Sequence, residues 1–116
     1  MTTILIVEDE QGIRETQAAL FEMEGFEVLT AESATDALKI ISAKLIDVML
    51  SDIRLGSESG LELAYMVQEN RPEIAVVLMT GYSSQNKEIR WPLLMKPFLC
   101  EEAVEIINRA LALRGS

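Results

Sequence analysis

Short apolar runs that each close on a polar side chain recur along the chain and restrict it to few folds. Thr3 to Glu8 is one such run and closes on Glu8-Asp9; Leu45 to Ser51 runs into Asp52, Ile74 to Met79 into Thr80, and Leu93 to Met95 into Lys96. Such runs, rich in Val, Ile and Leu and only a few residues long, suit strands buried on both faces. Phe26 to Ala31 alternates well enough to add one more strand. Between the runs the periodicity changes to that of helices. Gln11 to Glu24 carries Ile13, Ala18, Leu20, Phe21 and Met23 as a stripe and stops at Gly25; Ser33 reads as the N-cap of a helix with Ala34, Ala37, Leu38 and Ile41 on one side. A third helix is expected from Ser59 or Gly60 to Asn70, ended by Arg71-Pro72, and a closing helix over Leu99 to Leu113. Strands alternating with helices predict an α/β fold with a parallel sheet covered on both faces, because right-handed crossovers place helices above and below it.

One crossover is short. Gly81 to Pro92 is mostly polar and offers Tyr82, Ile89 and Trp91 for burial. A parallel crossover needs about a dozen residues or more. The fourth helix is therefore expected to be two turns at most or absent, and the segment mobile.

Composition excludes whole classes of function. The 116 residues include 19 acidic and 10 basic side chains, a net charge of −9, with no histidine and one cysteine. A surface this acidic repels phosphate backbones and anionic headgroups, so no direct nucleic-acid or membrane partner is expected. Zinc lacks soft ligands here, and Cys100 reads as a small surface or half-buried side chain rather than a redox centre. No run approaches the roughly 20 apolar residues of a membrane span. Met1-Thr2-Thr3 lacks a basic leader, and the expected location is cytoplasmic.

Ligand chemistry in an open parallel sheet collects at the C-terminal strand ends. Glu8, Asp9, Asp52, Thr80 and Lys96 stand there. Crowded carboxylates repel by roughly 4 kcal/mol per pair at about 4 Å and an effective dielectric near 20, so they call for a counter-cation. With oxygen ligands alone the candidate is Mg2+, held by Asp9 and Asp52, which keeps waters for a phosphate to replace. Thr80 and Lys96 would then donate to phosphoryl oxygens, Asp52 would be the nucleophile, and a side chain at Gly81 would crowd the incoming group. Singly, each residue has a plainer reading: Glu8-Asp9-Glu10 as a solvated helix start, Asp52 as an Asx-turn, Thr80-Gly81 as a turn, Lys96 as a snorkelling side chain. Only their joint placement separates the readings.

Ile4-Leu5-Ile6-Val7-Glu8-Asp9-Glu10, Asp47-Val48-Met49-Leu50-Ser51-Asp52, Gly60, Thr80-Gly81 and Lys96-Pro97-Phe98 together resemble the receiver domain of bacterial two-component response regulators, over essentially the whole of residues 1–116. The resemblance implies a doubly wound, flavodoxin-like sheet of five parallel strands in the order 2-1-3-4-5, with a Lys96-Pro97 peptide that is often cis. It implies Asp52 as phospho-acceptor, with Asp9, Asp52 and the Arg54 backbone carbonyl on Mg2+, Glu8 acting through water, and Thr80 and Lys96 as the signalling pair. The phosphodonor would be a histidine kinase or histidine phosphotransfer protein, docking on helix one near Ile13, Arg14 and Gln17. Output would pass by protein contact to a downstream partner, from a monomer or weak dimer. The chain would be a stand-alone receiver or a piece of a longer regulator or hybrid kinase.

Two positions depart from the family pattern. Gly56 replaces a common proline, which predicts a looser loop over the metal site. Leu93 replaces the usual switch aromatic, and Trp91 and Tyr82 are spaced differently. Competing readings are a pseudo-receiver, which would lose a site residue, and a Mg2+-dependent aspartyl-phosphate phosphatase. The latter needs a general acid two residues after the nucleophile, where this chain has Arg54.

Overall fold

The computed structural model describes residues 1–81 and 89–114. Among these residues the chain forms, in order, β1 (Thr3–Val7), α1 (Gln11–Met23), β2 (Glu27–Ala31), α2 (Ala34–Ala43), β3 (Val48–Asp52), β4 (Arg54–Leu55), β5 (Glu58–Ser59), α3 (Gly60–Asn70), β6 (Ala75–Thr80), β7 (Leu93–Met95) and α4 (Cys100–Leu113). Five strands make one parallel sheet in the order β2-β1-β3-β6-β7. Counting sheet strands alone, this is the expected order 2-1-3-4-5. The small antiparallel pair β4-β5 stands apart from it.

The sheet is central because β1, β3 and β6 are apolar on both faces and wholly buried. Successive side chains point to opposite faces, so each strand feeds two cores. Leu5, Val7, Met49 and Leu78 pack with Ala37 and Ile41 of α2 and Leu63, Ala64 and Val67 of α3. Ile4, Ile6, Val48, Leu50 and Met79 pack on the other side with Phe21 of α1 and Ala103, Ile107 and Ala110 of α4. Fully burying one such side chain stabilises the fold by about 2 kcal/mol.

Helix starts follow the sequence signals. Ser33 Oγ accepts the Asp36 N–H at 3.1 Å, and Ser59 Oγ accepts the Glu62 N–H at 3.3 Å. Gly25, with φ of 93°, ends the turn after α1. β3 begins later than its apolar run suggests. Leu45 is 86% exposed in the link from α2, so the strand runs Val48–Asp52 and includes the aspartate. Among the methionines, Met49 and Met79 fill the core, whereas Met66 and Met95 are exposed. Met23, expected on the apolar stripe of α1, faces solvent and Gln17 is buried in its stead, because Gln17 lies one turn from Phe21 on the inward side. The expectation of a short or absent fourth helix falls on residues 82–88, outside the described residues.

The N-terminal end of the sheet is closed by Asp47. Its carboxylate accepts the Thr3 N–H at 2.8 Å and meets Arg114 at 3.0 Å. The Thr3 amide holds the Asp47 carboxyl below its ordinary value of 3.8, against the opposing effect of burial and with help from Arg114. A carboxyl lowered in the folded state adds stability that is present above the unfolded value and disappears as pH falls through the folded one. Asp47→Ala is expected to lower unfolding free energy by about 1 kcal/mol near pH 6, a value discounted for the part-exposed side chain. The gap from wild type should narrow once pH drops below 3.8, as urea titrations over that range would show.

Candidate functional site

All the polar strand ends foreseen in the sequence meet at one edge. Glu8 and Asp9 follow β1, Asp52 is the last residue of β3, Thr80 the last of β6, and Lys96 follows β7. Asp9, Glu10, Asp52, Arg54, Gly56, Thr80, Gly81 and Lys96 line an open cleft of about 480 Å³. Glu8 lies beneath it, 1% exposed. Carboxylate oxygens of Glu8, Asp9 and Asp52 come within 4.8 Å of one another.

Lys96 neutralises part of this crowding. Its ammonium donates to Glu8 Oε1 at 2.9 Å and to Asp52 Oδ2 at 2.5 Å. Burial works against the lysine's charge, yet the bonds to Asp52 and Glu8 outweigh it and raise the Lys96 pKa. For Glu8 burial dominates and pushes the carboxyl up, opposed by Lys96 and by the Glu10 N–H. The backbone at Lys96 is fixed too: its N–H donates to the Thr80 carbonyl at 2.7 Å. The Lys96-Pro97 peptide is cis.

Asp52 is held by its neighbours. Its Oδ1 accepts the Arg54 N–H at 3.2 Å, and the next amide, Ile53 N–H, donates to the Met79 carbonyl at 2.9 Å. Gly60 passes so close that a Cβ there would collide with the Asp52 backbone carbonyl. Gly81 differs: among the described residues a Cβ would meet no atom within 4 Å. On the α1 side, Arg14 Nη1 donates to the Glu8 carbonyl at 2.8 Å. Gln17 is not at the surface with Ile13 and Arg14. Its amide reaches Met79 Sδ at 3.5 Å inside the core, and its Oε1 has no hydrogen-bond partner among the described residues.

The loop after Asp52 is a paired hairpin. Arg54–Leu55 pairs with Glu58–Ser59 across a two-residue turn at Gly56-Ser57, and Gly56 has φ of 64°. That backbone is closed to proline, whose ring fixes φ near −65°. A Gly at the first turn position is what a tight two-residue hairpin requires. The Leu-Gly-Ser-Glu order was the available signal for this hairpin. Leu93 is half-buried against the core, and Trp91 packs edge-on against Tyr65 of α3 with ring centroids 4.8 Å apart. Tyr82 lies outside the described residues. Cys100 is half-buried, and burial together with Glu24 pushes its thiol up, away from thiolate chemistry.

The sequence profile of the response regulator receiver domain matches residues 4–107. The chain belongs to the response regulator receiver family. It is 31% identical over 114 residues to the DNA-binding transcriptional regulator NtrC of Proteus hauseri, covering 93% of this chain and 24% of that protein. It is 34% identical over 83 residues to the CAI-1 autoinducer sensor kinase/phosphatase CqsS of Vibrio cholerae, covering 72% of this chain and 12% of that one. Among solved structures, a receiver domain protein from Clostridium thermocellum superposes with a TM-score of 0.87 at 30% identity, over 97% of this chain and 95% of that one. Response regulator TrrA from Thermotoga maritima, solved in complex with Mg2+ and beryllofluoride, gives 0.87 at 30% identity, over 95% and 99%. The chain thus spans about a quarter of the NtrC relatives, and DNA binding is a property of those longer proteins. Receiver domains are signalling phospho-acceptors with an acidic Mg2+ site, and the Glu8-Asp9-Asp52 cluster has the donors such a site needs. No helix among the described residues is long and apolar enough to cross a membrane.

Two substitutions test this geometry without any ligand. Gly60→Ala should cost about 2–3 kcal/mol in urea denaturation, since the methyl group must displace the Asp52 backbone. Lys96→Ala, by leaving Glu8 and Asp52 without their cation, should cost about 3 kcal/mol in a chelator-treated sample.

Proposed function

We propose that this receiver, residues 1–116, accepts a phosphoryl group on Asp52 from the phosphohistidine of a histidine kinase or histidine phosphotransfer protein, in a Mg2+-dependent reaction. The observation that carries the reading is the convergence of two carboxylates, an ammonium and a threonine on one cleft, with a third carboxylate, Glu8, beneath it. Asp9, Asp52 and the backbone carbonyl of Arg54 would hold the ion, with Glu8 acting through water. When bound, Mg2+ supplies positive charge that lets anionic oxygens approach one another.

The chain's own groups account for the rest. An Asp52 carboxylate oxygen attacks phosphorus as the bond to the donor imidazole nitrogen breaks, and the imidazole leaves with its electron pair and takes up a proton. Lys96 is placed to exchange its bond to Asp52 Oδ2 for one to a phosphoryl oxygen, and Thr80, at the end of the neighbouring strand, to donate its hydroxyl. Gly81 leaves room for the transferred group. Ile13 and Arg14 would form the donor's footing on α1; buried Gln17 would not. Arg54, two residues beyond Asp52, cannot serve as the general acid of a phosphatase, which supports signalling over turnover of an external substrate. Output would pass by protein contact, with the cytoplasm as the place where such donors act.

Incubation with acetyl phosphate and Mg2+ should add the mass of one phosphoryl group, absent when chelator is present from the start and absent in Asp52→Asn. Beryllofluoride, a tetrahedral stand-in for the phosphoryl group, should raise thermal stability in the wild type alone. Labelling of Asp52→Asn at the wild-type rate would remove the acceptor assignment.

A further inference from the structure

The cleft's outer wall is fastened to a helix that supplies no residue to the acidic cluster. Glu58, on the second strand of the β4-β5 hairpin, reaches away from the cleft to the start of α2. Its Oε1 accepts the Ala34 N–H at 2.9 Å and its Oε2 accepts the Thr35 hydroxyl at 3.2 Å. A carboxylate is well placed there, because the first N–H groups of a helix lack partners and the helix dipole favours negative charge. The other strand of the hairpin is anchored by Leu55, 3% exposed in the core beside α2 and α3. Between these two anchors the turn at Gly56 overhangs the site: a Cβ on Gly56 would lie 3.8 Å from Asp9 Oδ2. The hairpin also begins at Arg54, whose amide holds Asp52 Oδ1.

We propose that Glu58 is a positioning residue: by clasping the hairpin to the N-terminus of α2 it fixes Arg54 and Gly56 over Asp9 and Asp52, and so sets the divalent-cation affinity of the site. The clasp replaces the rigidity that proline would bring at a position whose φ of 64° forbids proline. The role rests on the reading of Asp9 and Asp52 as metal ligands. It requires no contact between Glu58 and the ion.

Two caps on the same helix separate positioning from plain stability. Ser33 caps α2 from within, through its bond to the Asp36 N–H, and makes no bond to the hairpin among those described. Ser33→Ala and Glu58→Ala each remove a cap on α2, but only the second releases the hairpin. By calorimetric titration with Mg2+, Glu58→Ala should bind about tenfold more weakly than wild type, the range seen when an outer partner of a metal ligand is lost. Ser33→Ala should stay within about twofold of wild type, whatever its loss in urea denaturation. Glu58→Gln, which keeps an oxygen for the Ala34 N–H, should recover most of the affinity. Labelling by acetyl phosphate should fall in Glu58→Ala at low Mg2+ and return toward the wild-type rate at saturating Mg2+. A wild type that ignores Mg2+ would overturn the reading underneath. A wild type that binds, beside Glu58→Ala and Ser33→Ala variants of equal affinity, would overturn the role of Glu58 alone.

Discussion

The bifurcated contact from Lys96 to Glu8 and Asp52 is the constraint around which the cleft is organised. Carboxylate oxygens within 4.8 Å of one another repel by roughly 3–4 kcal/mol per pair at an effective dielectric of about 20. Glu8 is almost fully buried, so it cannot relieve that repulsion by turning to water. A single ammonium offsets part of it for two carboxylates at once. The contact spans 88 residues to Glu8 and 44 to Asp52, so it exists only when the strand order β1-β3-β6-β7 is complete. Fold and site are therefore specified together. The Thr80 carbonyl, which accepts the Lys96 amide, adds the lateral tie that keeps β7 in register beside β6.

The sequence disclosed those parts of the site that depend on strand ends. An apolar run followed by Asp, Thr or Lys fixes both where the strand stops and which side chain stands at its mouth, so Asp9, Asp52, Thr80 and Lys96 were all legible. Gly60 was legible as a motif, and the structure supplies its reason in the close pass over the Asp52 carbonyl. Gly56 was legible as a departure from proline, but not as a left-handed residue in the two-residue turn that makes the loop a paired hairpin. Two strands of two residues each carry no periodicity, so nothing but the turn dipeptide announced them. Glu58 was invisible for a different reason: its partners lie 23 and 24 residues earlier, and one more acidic side chain in a chain of 19 has no local signature.

Helix α1 shows where periodicity itself gives out. A stripe drawn from apolar letters included Met23 and passed over Gln17, yet the inward positions are Gln17 and Phe21. Burying an amide whose oxygen lacks a partner costs free energy that an aliphatic residue would not. The site edge of the sheet therefore contains a polar group in its supporting core, next to Met79 and one residue from Thr80. Local disagreement between residue type and environment of this kind concentrates where function, rather than stability alone, constrains the sequence.

The two ends of the sheet are held by opposite means, and the contrast explains why the cleft can remain open. At the N-terminal edge Asp47 is saturated: its carboxylate takes Thr3 and Arg114, its N–H goes to the Thr3 carbonyl, and its own carbonyl accepts Ala75 and Arg114. Those bonds join β1, β3, β6 and the end of α4 at one acidic residue. At the C-terminal edge the carboxylates converge on one lysine, and further positive charge there would be accommodated more readily than removal of the lysine. An edge closed by hydrogen bonds holds the strands together, which leaves the opposite edge free to gather like charges that would by themselves push the strands apart.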